Sequence, residues 1–415
     1  MIDHESAPLL SLNTDVTSLH TVPLKDRSSV TRVVFNLIKC FLGSGVLTLP
    51  LAFKNAGYVG GLVMFPFSLI VCLYSMHILL QCRTRQPEAP TYCDLVGSAY
   101  GRTAQALTNV CLVSFQICCC IAYIVLASGN LNLVFPRFSQ LEYVYMIFFP
   151  VGLLCLLKTP KKLAPFSLLA NMALVSVLVL VSFFSSRELI NNGPSPDPVP
   201  LNTGSFLSSI GIFIYSFEGV TLILPLFNTM KKQKKFEGVL KTTLTILAVV
   251  YIAYALGSCF AFGNEIDGII TKLIPHSYAV YSELFVAFSL LLTYPLMMFP
   301  VFEIFEKKAS TEDLYPRRPS FLGAIGRSTF RLAFVIFAFI ISMFMLDHVG
   351  EVCSIAGATF GSVLCFILPA SIHLKIYGKE CSIWRRILHL MIIVFGVTVM
   401  ILVTYQDIQQ LLKTL

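Results

Sequence analysis

Charge is scarce in this chain. Asp, Glu, Lys and Arg make up 13% of 415 residues against 56% hydrophobic, too little charge for a soluble surface. Residues 1–30 hold no apolar core of signal-peptide length, so the first apolar run must act as its own insertion signal. No Asn-x-Ser/Thr acceptor occurs, so glycosylation says nothing about compartment. Cysteine is missing from the loops near 186–203 and 263–277, which excludes a structural disulfide there. Cys40, Cys72, Cys111, Cys118, Cys119, Cys120, Cys155 and Cys365 lie inside apolar runs, where Cys behaves as a small hydrophobe. No Cys/His set has ligand spacing, so no zinc site is expected. The histidines are scattered, with His77 alone in mid-run. No clustered catalytic set is visible, which argues against an enzyme, and nothing calls for a cofactor.

Apolar length is abundant. Runs long enough to span a bilayer fall near 33–57, 59–82, 104–130, 165–184, 204–229, 239–262, 278–304, 328–346, 351–374 and 386–406, with a shorter one at 143–157. The reading is an all-α integral membrane protein of about eleven spans, with the lipid bilayer as its solvent. The net charge of +8 has a topological account rather than one in nucleic acid. Basic clusters precede the first span (Lys25, Arg27, Arg32) and recur only in alternate loops: Arg83, Arg85 and Arg102; Lys158, Lys161 and Lys162; Lys231 to Lys235; Lys307 to Arg327; Lys375 to Arg386. By the positive-inside rule these loops and the N-terminus are cytosolic. Residues 1–31 read as a cytosolic tail, residues 32–415 as the membrane domain, and Asn191–Pro198 as an irregular external linker. Residues 83–103 read as a cytosolic loop with a short amphipathic helix. The tail contains Glu5, Leu9 and Leu10 in the acidic dileucine pattern that sorting adaptors read; a solvated disordered tail is the plain alternative.

A short phrase occurs twice, Gly45-Val46-Leu47-Thr48-Leu49-Pro50-Leu51-Ala52-Phe53 and Gly219-Val220-Thr221-Leu222-Ile223-Leu224-Pro225-Leu226-Phe227. Gly43-Ser44-Gly45 opens one copy and Ser216-Phe217-Glu218-Gly219 the other, so both spans are expected to break in mid-membrane. Four apolar runs separate the copies, so the second enters from the opposite side, as in an inverted repeat. Paired broken helices in inverted halves point to the substrate site of a secondary transporter. The halves read as 32–184 and 204–376, with an additional helix at 386–408.

A broken helix leaves backbone groups to be satisfied, and a zwitterion can satisfy them. The helix N-terminus near Gly45-Val46 would hold a carboxylate, and carbonyls near Tyr215, Ser216 and Phe217 would accept from an ammonium. Close helix packing is the other reading of Gly43 and Gly45. Glu218 is the most deeply placed acid and a candidate proton carrier; alternatively its carboxyl only fixes the break. Lys39 either snorkels to the cytosol or places its ammonium where a metal cation would sit. Tyr123 suits the wall of a small amphiphilic pocket, or plain packing. Tyr294-Pro295 and Pro300 are expected to bend the eighth span and leave the Thr293 hydroxyl as a lining group, while Glu303 and Glu306 read as solvated.

At Asn36–Pro50, Leu51–Gly57, Tyr215–Gly219 and Thr293–Leu296 the chain resembles the amino acid/auxin permease family, nearest its proton-coupled and vacuolar amino acid transporter branches, from about residue 30 to the end. The resemblance implies the leucine-transporter type of fold, with a five-plus-five inverted repeat, broken helices 1 and 6 and an eleventh helix. It also implies substrate contacts at Gly43, Ser44, Gly45, Phe217 and Tyr123. In the sodium-coupled branch an Asn involved in sodium binding aligns with Lys39, which argues against sodium. In the animal proton-coupled branch a coupling His aligns with Asn36, which cannot titrate. The expectation is a proton-coupled carrier of small neutral amino acids working toward the cytosol in a lysosomal, vacuolar or endosomal membrane. A sodium-coupled carrier, a plasma-membrane location and an amino acid sensor without net transport stand as alternatives.

Overall fold

In hydrocarbon every backbone N–H and C=O needs an internal partner, which leaves helices as the natural element for so apolar a chain. The computed structural model describes residues 28–156, 160–311, 321–378 and 380–414. Among them are α1 (Val30–Phe41), α2 (Ser44–Ala56), α3 (Tyr58–Arg85), α4 (Tyr92–Tyr100), α5 (Arg102–Val134), α6 (Gln140–Cys155), α7 (Pro160–Asn192) and α8 (Phe206–Tyr215). After a 3₁₀ turn at Glu218–Leu222 follow α9 (Ile223–Thr229), α10 (Phe236–Phe262), α11 (His276–Thr311), α12 (Phe321–Phe344), α13 (Val349–Ile355), α14 (Leu368–Tyr377) and α15 (Ile383–Thr414). Eight helices among the described residues are long and apolar enough to cross a membrane, and the bent pair α1–α2 makes a ninth. Gln140–Cys155 and Ser328–Phe344 are shorter apolar helices.

Burial sorts these helices. The apolar window of α5 is 78% buried and that of α15 only 28%, so α5 is central and α15 peripheral. The outward positions are apolar, as lipid contact requires: Val63, Ile70, Val179, Val249 and Val394 are each more than 60% exposed. Where helices meet, small residues let backbones touch. A Cβ on Gly357 would stand 1.9 Å from Gly211 O, and one on Gly211 would stand 2.4 Å from Ser354 O. The helix carrying Gly357 is loosened locally into π-turns at Ala356–Gly361 and Val363–Ile367. The short helix expected in the 83–103 loop is α4, with Thr91 accepting from Asp94 N, and its tyrosines donate to Leu364 O and Ser371 O, both at 2.8 Å.

One expectation is corrected. Asn191 and Asn192 are helical, and the helix stops one residue later, where Gly193 adopts φ +77° and donates to Leu189 O. α11 stays helical through both Pro295 and Pro300.

Candidate substrate site at two crossed helix breaks

The first span breaks where expected. α1 stops at Phe41 and α2 starts at Ser44, bent from it by 53°. Gly43 is extended (φ −133°, ψ −157°) and is the N-cap of α2, but it has no side chain with which to cap the first-turn amides. On the other side of the break, Tyr251 Oη donates to Phe41 O at 2.8 Å, and Lys39 occupies the last turn of α1, where a cation complements the helix dipole. Lys39 is partly buried. The second break runs from the end of α8 at Tyr215 through Ser216 and Phe217 into the 3₁₀ turn.

The two breaks cross in contact. Ser44 Oγ and Tyr215 Oη are hydrogen bonded at 2.6 Å, buried and 171 positions apart. A Cβ on Gly45 would lie 2.8 Å from Ser216 Cα, and a Cβ on Gly219 would lie 2.9 Å from Cys40 O. The glycine that opens each copy of the phrase is thus what lets the other break approach. Of the two expected roles of Gly45, the close contact with Ser216 is the packing one.

Other expected contacts are placed less simply. Phe217 is buried and stacks on Phe65 of α3, with ring centroids 5.5 Å apart, in a cluster with Phe53 and Phe213. Its carbonyl, expected to face an ammonium, already accepts from Val220 N at 3.4 Å, and the Ser216 hydroxyl donates to Phe213 O at 2.7 Å. Tyr123 is buried on α5. Thr293 donates to Ser289 O of its own helix at 2.8 Å. Glu218 opens the 3₁₀ turn; its side chain, like Glu5, Leu9 and Leu10, lies outside the described residues.

A cavity of about 630 Å³ opens from the basic-loop face and reaches the second break at Thr221, Leu222 and Pro225, with Arg102, Pro300 and Glu303 also on its wall. The opposite face is tied shut. Lys54 of α2 donates to Asn264 O at 3.0 Å and Ile266 O at 2.7 Å in the loop after α10, while Tyr58 N and Val59 N bond to Val199 O and Pro200 O. Lys54→Met should loosen this face. In a variant retaining Cys259, which lies beside Lys54, as its only cysteine, labelling by an impermeant maleimide from that face should rise several-fold; unchanged labelling would remove Lys54 as a latch.

Sequence reading missed several polar partners. Asp407 of α15 is fully buried and accepts from Ser208 Oγ at 2.5 Å, while Ser354 Oγ donates to Ser208 O at 2.8 Å. Glu306, expected to be solvated, pairs with the buried Arg331 at 2.6 Å; that guanidinium also donates to Cys155 O and lies 4.9 Å from the Phe302 ring centroid.

Residues 26–409 match the family described as transmembrane amino acid transporter protein. The chain belongs to that family. It is a multi-pass membrane protein, as the family resemblance of its motifs implied. The Arabidopsis thaliana amino acid transporter ANT1 is 26% identical over 404 residues, covering 92% of this chain and 93% of that one. The Saccharomyces cerevisiae vacuolar amino acid transporter 3 is 28% identical over 403 residues, covering 92% of this chain but 57% of its own longer one. The Xenopus tropicalis vesicular inhibitory amino acid transporter is 25% identical over 371 residues, covering 85% and 71%. These relatives are named as transporters, not as enzymes. Among solved structures, the nucleobase-cation-symport-1 transporter Mhp1, closed around bromovinylhydantoin, aligns with a TM-score of 0.56 at 11% identity over 95% of each chain. At that identity the likeness is one of fold.

Proposed function

We propose that the protein is a proton-coupled carrier of small neutral amino acids that delivers them to the cytosol by alternating access. The observation that carries this reading is the contact of the two breaks through Ser44 and Tyr215, with glycines of the repeated phrase at both crossings. Backbone at membrane depth is tolerated only against protein or a watered cavity, and the cavity from the basic face comes up to the 3₁₀ turn beyond this contact, at Thr221 and Leu222. With that face cytosolic by the positive-inside rule, the conformation is one poised to exchange substrate with the cytosol. In this reading the two shorter apolar helices also cross, and with the eight long ones and the bent pair they would give eleven crossings, in repeats 32–184 and 204–376 with 386–408 outside them. Substrate would replace the Ser44–Tyr215 bond, its carboxylate at the start of α2.

Lys39 supports protons over sodium, because an ammonium in the last turn of α1 already supplies the cationic charge a sodium ion would bring there. The test is purified protein in liposomes, with a pH gradient and a sodium gradient imposed separately and labelled neutral amino acids supplied. Accumulation driven by the pH gradient alone is expected; accumulation driven only by sodium, or binding without uptake, overturns the reading.

The vacuolar and vesicular names of two relatives, together with the dileucine pattern at Glu5, Leu9 and Leu10, support an acidic organelle as the site of action. Changing Leu9 and Leu10 to alanine should move most of the protein from internal compartments to the cell surface. An unaltered distribution by microscopy would leave the pattern a coincidence of composition.

A further inference from the structure

Three side chains far from the helix breaks meet near the basic face. His373 on α14, Cys381 in the turn before α15 and His389 on α15 bring one ligand atom each to within 4.8 Å of one another. All three are buried, at 2%, 8% and 0% exposure.

The surrounding hydrogen bonds decide what these atoms can do. Gln81 of α3 presents its Nε2 to His77 Nε2 at 3.0 Å and its Oε1 to His373 Nε2 at 3.1 Å, while His77 Nδ1 faces Glu237 at 2.8 Å. An amide oxygen only accepts. His373 therefore carries its proton on Nε2, and its Nδ1 is a bare lone pair. His389 repeats the pattern: Nε2 meets Tyr74 Oη at 3.0 Å, and a hydroxyl oxygen can accept a proton there. Neither Nδ1 has a hydrogen-bond partner. A buried polar atom without a partner costs about 1–3 kcal/mol, and here two such atoms belong to imidazoles that share one cluster with a thiol. An imidazole held at one nitrogen by an oxygen, with the other nitrogen bare, is the arrangement of a metal ligand and its supporting group.

We propose that His373, Cys381 and His389 bind zinc(II), as a thiolate and two neutral imidazoles with one position left for water. Zinc–nitrogen bonds of about 2.0–2.1 Å and a zinc–sulfur bond of about 2.3 Å need these atoms roughly 1 Å closer together than their outer limit, within the reach of side-chain rotation. Arg385 and Arg386 follow on α15; their charge opposes a dication but favours the thiolate that binds it. Arg386 also donates to Gly378 O within the connecting turn. The ion would tie α14 and α15 together, and Gln81 would orient the site from α3. Seven residues lie between each ligand and the next, a spacing unlike that of common zinc motifs, which is why linear inspection expects none.

The test uses purified full-length protein in detergent. Wild type should retain one zinc per chain after dialysis against micromolar free zinc and should unfold at a higher temperature with zinc than with chelator. Cobalt(II) should give a thiolate charge-transfer absorption. Cys381→Ser should abolish that absorption and cut affinity at least 100-fold, and Gln81→Leu should weaken binding 10- to 100-fold. No zinc retained by wild type, or an unchanged cobalt spectrum in Cys381→Ser, would overturn the site. The cobalt measurement on wild type needs no variant to fold, and none of these readouts depends on transport.

Discussion

Gly45→Val is expected to abolish amino acid uptake, and Gly45→Ala to reduce it at least tenfold. A Cβ at this position would meet Ser216 Cα at 2.8 Å, a backbone atom that cannot swing aside. The breaks would have to separate, taking the Ser44–Tyr215 bond with them. Overpacking of this kind costs about 1–3 kcal/mol, and about 1.4 kcal/mol already corresponds to a factor of ten in an equilibrium. Valine adds two methyl groups to the same clash and covers the first-turn amides. Gly238→Ala and Gly257→Ala provide the control, because a Cβ at either site meets nothing within 4 Å. Initial rates of labelled uptake in proteoliposomes, corrected for inserted protein, check the series. Equal rates for Gly45→Ala and the controls would remove the crossing from the substrate path.

The breaks were legible because their causes are local: glycine and serine beside a polar residue inside an apolar run, repeated with the same Leu-Pro-Leu continuation. What the breaks touch was not. Ser44 finds Tyr215 across 171 positions, and Gly219 rests on Cys40, through a crossing that no periodicity encodes. Partners across helices stayed hidden for the same reason. Glu306 reads as solvated until Arg331 of the next helix is set beside it. Asp407 looks like the polar end of a last span until Ser208 is placed against it. His77 and His373 read as scattered because their common element is Gln81, a residue with no signature. Helix ends were misjudged where a turn-rich string began inside a helix, as at Asn191 and Asn192.

Glu218→Gln should lose concentrative uptake while keeping substrate exchange. Glu218 begins the 3₁₀ turn that joins α8 to α9, and the cavity from the basic face reaches Thr221, one turn further on. Water arriving by that route can take a proton from a carboxyl; closing the route and opening the Lys54 face would let the acidic side return it. Each pH unit supplies about 1.4 kcal/mol per proton, or about tenfold accumulation at one proton per substrate. Glutamine copies the protonated carboxyl in shape and hydrogen bonding but cannot release the proton, so the cycle would run without coupling. In proteoliposomes with an imposed pH gradient the variant should equilibrate labelled substrate without concentrating it, and proton flux should fall to background. Counterflow exchange should persist, which separates loss of coupling from loss of folding. If the variant still concentrates substrate with wild-type pH dependence, Glu218 serves only to shape the break, and Asp407, a fully buried carboxyl between α8 and α15, becomes the next residue to test.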